Sequence, residues 1–299
     1  MSEHEQPGVE GPARFDHDAN TLEGARRYFA NRAVQGLADG FRWEAGVEAL
    51  TDGGDAWGAR TWATGPDGVR RQSVYVLLHA RGKGNLSRHL AASREPFVTA
   101  PSCELEALFT KHGVDHVVAG RFSEWKEYRA VESRHHTRYA KRSKLPYMNH
   151  IDEGLAVLRD LGATEAAQRA FCLHPLLQAD AELAAHHAEA PGFTDDPRVL
   201  LLAMEYRNVA NAYLSRREVA SDDEVALSPL AEVNDMLRAD KVQNAKDFLL
   251  HHRETHPRRE ALARYFHTWH RRLGVTGGDF ARWFARLQAT PTPAAMPAW

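Results

Sequence analysis

The chain has 299 residues, 43% hydrophobic and 26% charged, with a formal net charge of -2. That length accommodates two domains or one large core, and the near-neutral charge excludes the sequence-independent phosphate attraction of a dedicated nucleic-acid-polymer binder while leaving room for a local basic pocket. Two cysteines, Cys103 and Cys172, are too few for a disulfide framework, no apolar run approaches the roughly 18 residues a membrane span needs, and residues 1–18 carry no secretory pattern, so a cytoplasmic protein is expected.

Residues 1–20, with Pro7, Gly8, Gly11 and Pro12, read as a disordered tail. Thr21 offers an N-cap, and Leu22, Ala25, Phe29 and Ala33 follow at helical spacing. Glycines and tryptophans then punctuate short segments. Residues 58–78 read as a hairpin turning at Pro66-Asp67-Gly68, with 73–78 as its second strand. A glycine-bearing turn at 81–84, a short helix to about residue 93, a strand over 96–100, a helix over 102–112 and a strand over 114–119 complete this region. The alternation predicts a small α/β domain over 21–125, with its boundary in the charged helix 124–139.

After Pro146 the pattern is helical. Ile151, Leu155 and Leu158 form one stripe, and 167–177 a second helix. Asp196-Pro197 supplies an N-cap and first-turn proline for a helix through Leu214, and Ser228-Pro229 repeats the signal for 233–251. Leu262, Phe266, Trp269 and Leu273 mark a long amphipathic helix. Phe280, Trp283, Phe284 and Leu287 mark a short one, before a flexible Pro/Ala-rich tail over 289–299. The expected class is α+β, a small α/β domain followed by an all-helical domain over 126–288. Among the histidines, the pairs His135/His136, His186/His187 and His251/His252 read as solvated, since helical neighbours point about 100° apart.

Three segments put polar residues where a helical core prefers apolar ones. His150 opens a helix in YAKRSKLPYMNHIDEGLAVL, His174 lies one turn from Phe171 and Leu177 in AFCLHPLLQADAEL, and Asp240 and Asn244 share a face with Met236 in VNDMLRADKVQNAKDFLLHH. A buried carboxylate needs a partner; an imidazole or a metal ion serves, and a metal-free His–Asp hydrogen-bonded network is the alternative. These segments resemble the RelA/SpoT alarmone hydrolase domain of the HD superfamily. A basic pair, a Pro-Tyr and a histidine precede one helix, an apolar helix carries the second histidine, and LRADKVQNAKDF resembles that family's Leu-Ala-Asp-Arg-x-x-Asn signature, in the same order along the chain. The resemblance implies His150, His174 and Asp240 as ligands of a divalent ion, Mn or Mg. It further implies Lys141, Arg142, Tyr147, Lys241 and Asn244 as residues lining a pocket for a small phosphorylated or nucleotide-like ligand.

The chain departs from the pattern at two points. Pro175 stands where an aspartate ligand follows the second histidine, which weakens binding of a hard ion, and Gln178 and Ala179 replace the acidic pair that assists water attack. Gln178, Asp180 and Glu205 remain as catalytic candidates. Glu205 lies in AMEYRNVANAYLSRR, whose Arg207, Asn208 and Asn211 line either a pocket wall, with Arg207 as a fork for phosphate, or a polar network.

The N-terminal region offers a different class of function. Arg81, Lys83 and Gly84, between a strand and a helix in VYVLLHARGKGNLSRHL, resemble the acyl-CoA loop of GNAT acetyltransferases, with Leu86 where that loop ends in glycine. The expectation is a divergent HD-type domain that binds a phosphorylated ligand and hydrolyses a phosphoester. A CoA-dependent acyltransferase whose helical half supplies the acceptor site, and a catalytically silent regulatory module, are the alternatives.

Overall fold

The computed structural model describes residues 20–135, 138–140, 143–213, 219 and 221–288. The expectations for the two tails, for Lys141 and Arg142 and for Leu214 lie outside them. The architecture is mixed α/β, and the chain folds as two compact units that part between Glu124 and Trp125.

The first unit opens with α1 (Leu22–Leu37), whose N-cap Thr21 accepts a hydrogen bond from the Gly24 amide at 3.0 Å. Strands β1 (Arg42–Trp43) and β2 (Glu48–Asp52) run along the same edge of β3 (Asp55–Thr64) as one broken strand. Thr61 spans the break by donating to the Glu44 and Gly46 carbonyls, which the lost ladder would leave unpaired. β3 pairs antiparallel with β4 (Arg70–Val76) through the Pro66-Asp67-Gly68 turn, where Gly68 takes φ +76° and Asp67 accepts from the Val69 amide and the Arg71 guanidinium. The second hairpin strand thus begins at Arg70 rather than residue 73. Helix α2 (Asn85–Ala92), β5 (Phe97–Thr99), α3 (Cys103–Lys111) and β6 (His116–Val118) follow, with β5 and β6 parallel to β4. Ala59 and Ala63 let α1 approach one sheet face through Ala25, Phe29 and Ala33, while Leu90 and Phe109 cover Phe97 on the other.

The second unit is helical: α4 (Lys126–His135), α5 (Met148–Asp160), α6 (Glu165–Leu177), α7 (Asp180–His186), α8 (Pro197–Ala212), α9 (Ala231–Asp247), α10 (Arg259–Arg272) and α11 (Gly277–Gln288). Asp196 caps α8 at the Arg198 amide, with Pro197 in the first turn. The Ser228-Pro229 pair does not open α9. Leu230 is the N-cap, and Ser228 instead accepts from the Leu230 amide and donates to Glu205. α9 ends at Asp247 in a π-helical turn (Phe248–His252), so His251 and His252 are half-buried rather than exposed. His135, read as solvated, is buried beside Arg138. Helix α7 is not anticipated by the sequence pattern. No helix among the described residues is long and apolar enough to cross a membrane.

Helices α5, α6, α8 and α9 pack on one another around Ile151, Leu155, Phe171, Leu202, Met236 and Val242. Buried polar ties fix their order. Glu127 of α4 takes a two-pronged grip from Arg169 of α6, and Tyr128 donates to Asp152 of α5 at 2.8 Å. At the far end of α5, Asp160 accepts from Trp283 at 2.7 Å and Arg286 at 2.8 Å, which anchors α11. Gly154 marks the closest approach of α5 to α6: an added Cβ would lie 2.2 Å from Phe171 Cε1. Gly154→Ala is therefore expected to cost about 1–3 kcal/mol in urea unfolding, as an overpacking change. It should also displace the Phe171 ring, which packs against both His150 and His174.

Candidate metal centre

α9 is buried on most of its circumference, including Asp240, Lys241, Gln243 and Lys246. Charged side chains so placed must pair, and their pairing builds the site. Asp240 meets His150 from the first turn of α5 and His174 from the last turn of α6. His150 Nε2 lies 3.0 Å from His174 Nε2 and 3.5 Å from Asp240 Oδ1, and one ligand atom from each of the three falls within 4.8 Å of the others. Among the described residues no fourth His, Cys, Asp or Glu joins them.

Each of the three is braced from behind. His174 Nδ1 is 2.6 Å from the Phe171 carbonyl, and His150 Nδ1 is 2.6 Å from Gln243 Oε1. The Gln243 amide group donates to Glu153 at 3.0 Å and Asp247 at 2.8 Å, which turns its oxygen toward His150. Asp240 Oδ2 pairs with Lys241 at 2.7 Å, and its Oδ1 accepts from Asn244 at 2.8 Å. The Lys241 ammonium in turn faces the Tyr265 and Trp269 rings at 5.4 and 5.2 Å.

Burial pushes the His174 pKa down to about 3, aided by His150. For Asp240, burial works upward, but Lys241 and the two histidines outweigh it and hold the carboxyl at about 2. Burial alone would lower Lys241, and Asp240 reverses that, so the ammonium stays charged. The ring of Tyr206 of α8 lies 4.9 Å from that of His174, tilted 56° to it, and its buried hydroxyl lies within electrostatic reach of Asp240. His150 is the most accessible of the three and marks the open side.

The other candidate residues lie elsewhere. Asp180 opens α7 with its side chain 92% exposed and pairs with Arg207. Arg207 and Asn211 also donate to the Gln178 carbonyl, so this stretch of α8 caps the end of α6 as a polar network. Glu205 holds Ser228 and Asn208, and Gln178 touches the three converging residues only through its backbone amide, which donates to the His174 carbonyl at 2.9 Å as the helix ends. Tyr147 is 40% exposed, with Arg138 over its ring. In the first unit Arg81 donates to the Val76 carbonyl, and Gly84 starts α2 at φ +74°. Lys83 lines a groove of about 580 Å³ with Asp52, Asp55, His79 and Arg88. Arg88 folds back over that turn onto the Lys83 carbonyl and Asn85.

Sequence reasoning missed Tyr206 and Gln243. Gln243 lies three residues after Asp240, on an adjacent helical face, and that spacing is its only signal. No family model, no curated protein and no solved structure matches this chain.

Acid should destabilise the metal-free protein through its buried imidazoles. Burial, then Arg138, holds His135 at about 4 against an ordinary 6.5, and His174 lies at about 3. Both folded values lie below the unfolded one. Their stabilisation is therefore complete above pH 6.5 and is lost as pH falls from 6.5 toward those folded values. Burial raises Glu153, which works in the opposite sense at one position. Replacing one imidazole isolates its share: His135→Gln is expected to flatten the urea-unfolding profile between pH 6 and 4.5 by about 1.4 kcal/mol per pH unit. Parallel profiles for the variant and the wild type would refute that assignment.

Proposed function

We propose that the helical unit is a divergent HD-type domain that holds one divalent ion between His150, His174 and Asp240 and binds a phosphorylated, nucleotide-like ligand at it. The observation that carries this is the convergence of two imidazole nitrogens and a carboxylate oxygen, each braced by its own hydrogen-bond partner. The spacing suits an ion: ligand atoms held at about 2.0–2.1 Å from one centre stand about 3 Å apart. Bracing of the far imidazole nitrogen is the usual support of a metal-binding histidine.

The donor set bears on which ion is held. Pro175 supplies no carboxylate, and Lys241 already balances Asp240, so the site offers two neutral nitrogens and one shared oxygen. Such a set favours zinc or a similar borderline ion over the Mn or Mg that the family resemblance implies. A bound divalent ion would polarise a phosphoryl oxygen and lower the pKa of its water. The chain's own residues keep Asp240 ionised through Lys241, orient both rings and leave His150 facing the entrance. With no further carboxylate at the centre among the described residues, ligand binding outweighs turnover, and phosphoester hydrolysis is expected to be slow.

Chelator-treated protein titrated calorimetrically with Zn²⁺ and Mn²⁺ is expected to take up one zinc per chain more tightly than manganese, with uptake lost in His150→Ala and His174→Ala. Guanosine and adenosine polyphosphates should raise the melting temperature of the zinc-loaded protein alone. Failure of the wild type to bind either ion would end this reading.

A further inference from the structure

The groove of the first unit holds two opposite charges that the described residues leave unanswered. In the β2–β3 hairpin the turn is Gly53-Gly54, both at positive φ (+63° and +102°), and the register sets Asp52 opposite Asp55. Two carboxylates so paired repel, so the hairpin gains no stability from them. Arg88 of α2 reaches Asp52 at 3.5 Å, but no side chain among the described residues pairs with the Asp55 carboxylate. Both acids line the groove of about 580 Å³, and so does Lys83 of the turn 81–84. That turn is fixed: Gly82 and Gly84 take φ +74°, and Arg88 donates to the Lys83 carbonyl at 3.2 Å. The Lys83 ammonium itself has no partner among the described residues, and it does not meet Asp55.

The other polar groups of the lining are engaged. Asn20 accepts from the His79 amide at 3.0 Å, the His79 ring contacts the Ala56 carbonyl at 3.1 Å, and Asn85 accepts from Arg88. The rest is apolar: Trp57, Leu77 and Ala80 are buried behind it, and Leu22 and Ala56 are half-buried. An anion alone would leave Asp55 unanswered beside Asp52, and a cation alone would leave Lys83. We propose that this groove binds a small zwitterion with an apolar body, an α-amino acid of the leucine or phenylalanine kind, its ammonium on Asp55 and its carboxylate on Lys83. The volume lies within the roughly 300–1,000 Å³ of small-molecule sites. The site belongs to the first unit and stands whether or not an ion binds in the second.

Saturation-transfer NMR on the full chain with L-leucine and L-phenylalanine at millimolar concentration tests it. At least one of the two is expected to bind. Leucinamide, which lacks the carboxylate, and N-acetyl-leucine, which lacks the ammonium, should each bind about tenfold more weakly than leucine. Asp55→Asn should weaken leucine by a similar factor yet bind N-acetyl-leucine no worse than the wild type does. Lys83→Gln should do the same with leucinamide. Both residues are exposed, so neither change threatens the fold. Absence of binding by both amino acids overturns the proposal. So does N-acetyl-leucine or leucinamide bound as tightly as leucine, which would make the groove a site for an anion or a cation alone. Leucine bound equally by the wild type and both variants would place it elsewhere and overturn the proposal as well.

Discussion

Asp240→Ala is expected to abolish zinc uptake and to lower unfolding stability by about 3–5 kcal/mol, because it strands the Lys241 ammonium in the interior. Lys241 is buried against Tyr265 and Trp269, and Asp240 is the carboxylate it pairs with. Losing that partner turns burial from a tolerated into a dominant influence, and the amine should shed its proton near neutral pH. The double variant Asp240→Ala/Lys241→Met separates the two consequences. It removes both charges, so much of the stability should return while ion uptake stays absent. Urea unfolding and zinc titration of the three proteins read this directly. A double variant as unstable as Asp240→Ala would show that the pair is not where the loss arises.

Lys241→Met alone is expected to act in two directions. Without metal it should cost about 3–5 kcal/mol, since Asp240 then lies buried beside two neutral rings. With metal it should bind more tightly than the wild type, because the carboxylate no longer divides its charge between an ion and an ammonium. Zinc at 100 times its dissociation constant should return about 2.7 kcal/mol to the variant. Weaker zinc binding than the wild type would mean that Lys241 helps the site, for instance by holding Asp240 in position, rather than competing for it.

Features set by near neighbours in the chain are legible in the sequence. Thr21 and Asp196 announce helix starts through their own side chains, and Pro66-Asp67-Gly68 announces a hairpin through allowed backbone angles. The break between β1 and β2 is not legible, because Thr61 repairs it from another strand. Nor is the start of α9: Ser228-Pro229 has the composition of a cap, yet Ser228 is engaged by Glu205 of α8 and the helix begins beyond it. At the site, His150, His174 and Asp240 stand out as polar residues on apolar faces, and the fold brings them together. Gln178 and Asp180 are suggested by register with a family pattern and Glu205 by the density of polar residues on its helix, and the fold gives them other partners. The bracing by Gln243 is invisible for a different reason: it works through an amide whose direction is set by two acids.

The attachment of α11 bears on how the second unit comes apart. Asp160 is the final residue of α5, at the pole where exposed carbonyls already concentrate negative potential. Its carboxylate is unwelcome there unless Arg282, Arg286 and the Trp283 indole cover it. Those contacts are partly solvated, so ionic strength reaches them. Raising salt, or clipping the chain before Gly277, should fray the last turn of α5 first. Amide exchange would then quicken near Asp160 while the opposite end, around His150, stays protected.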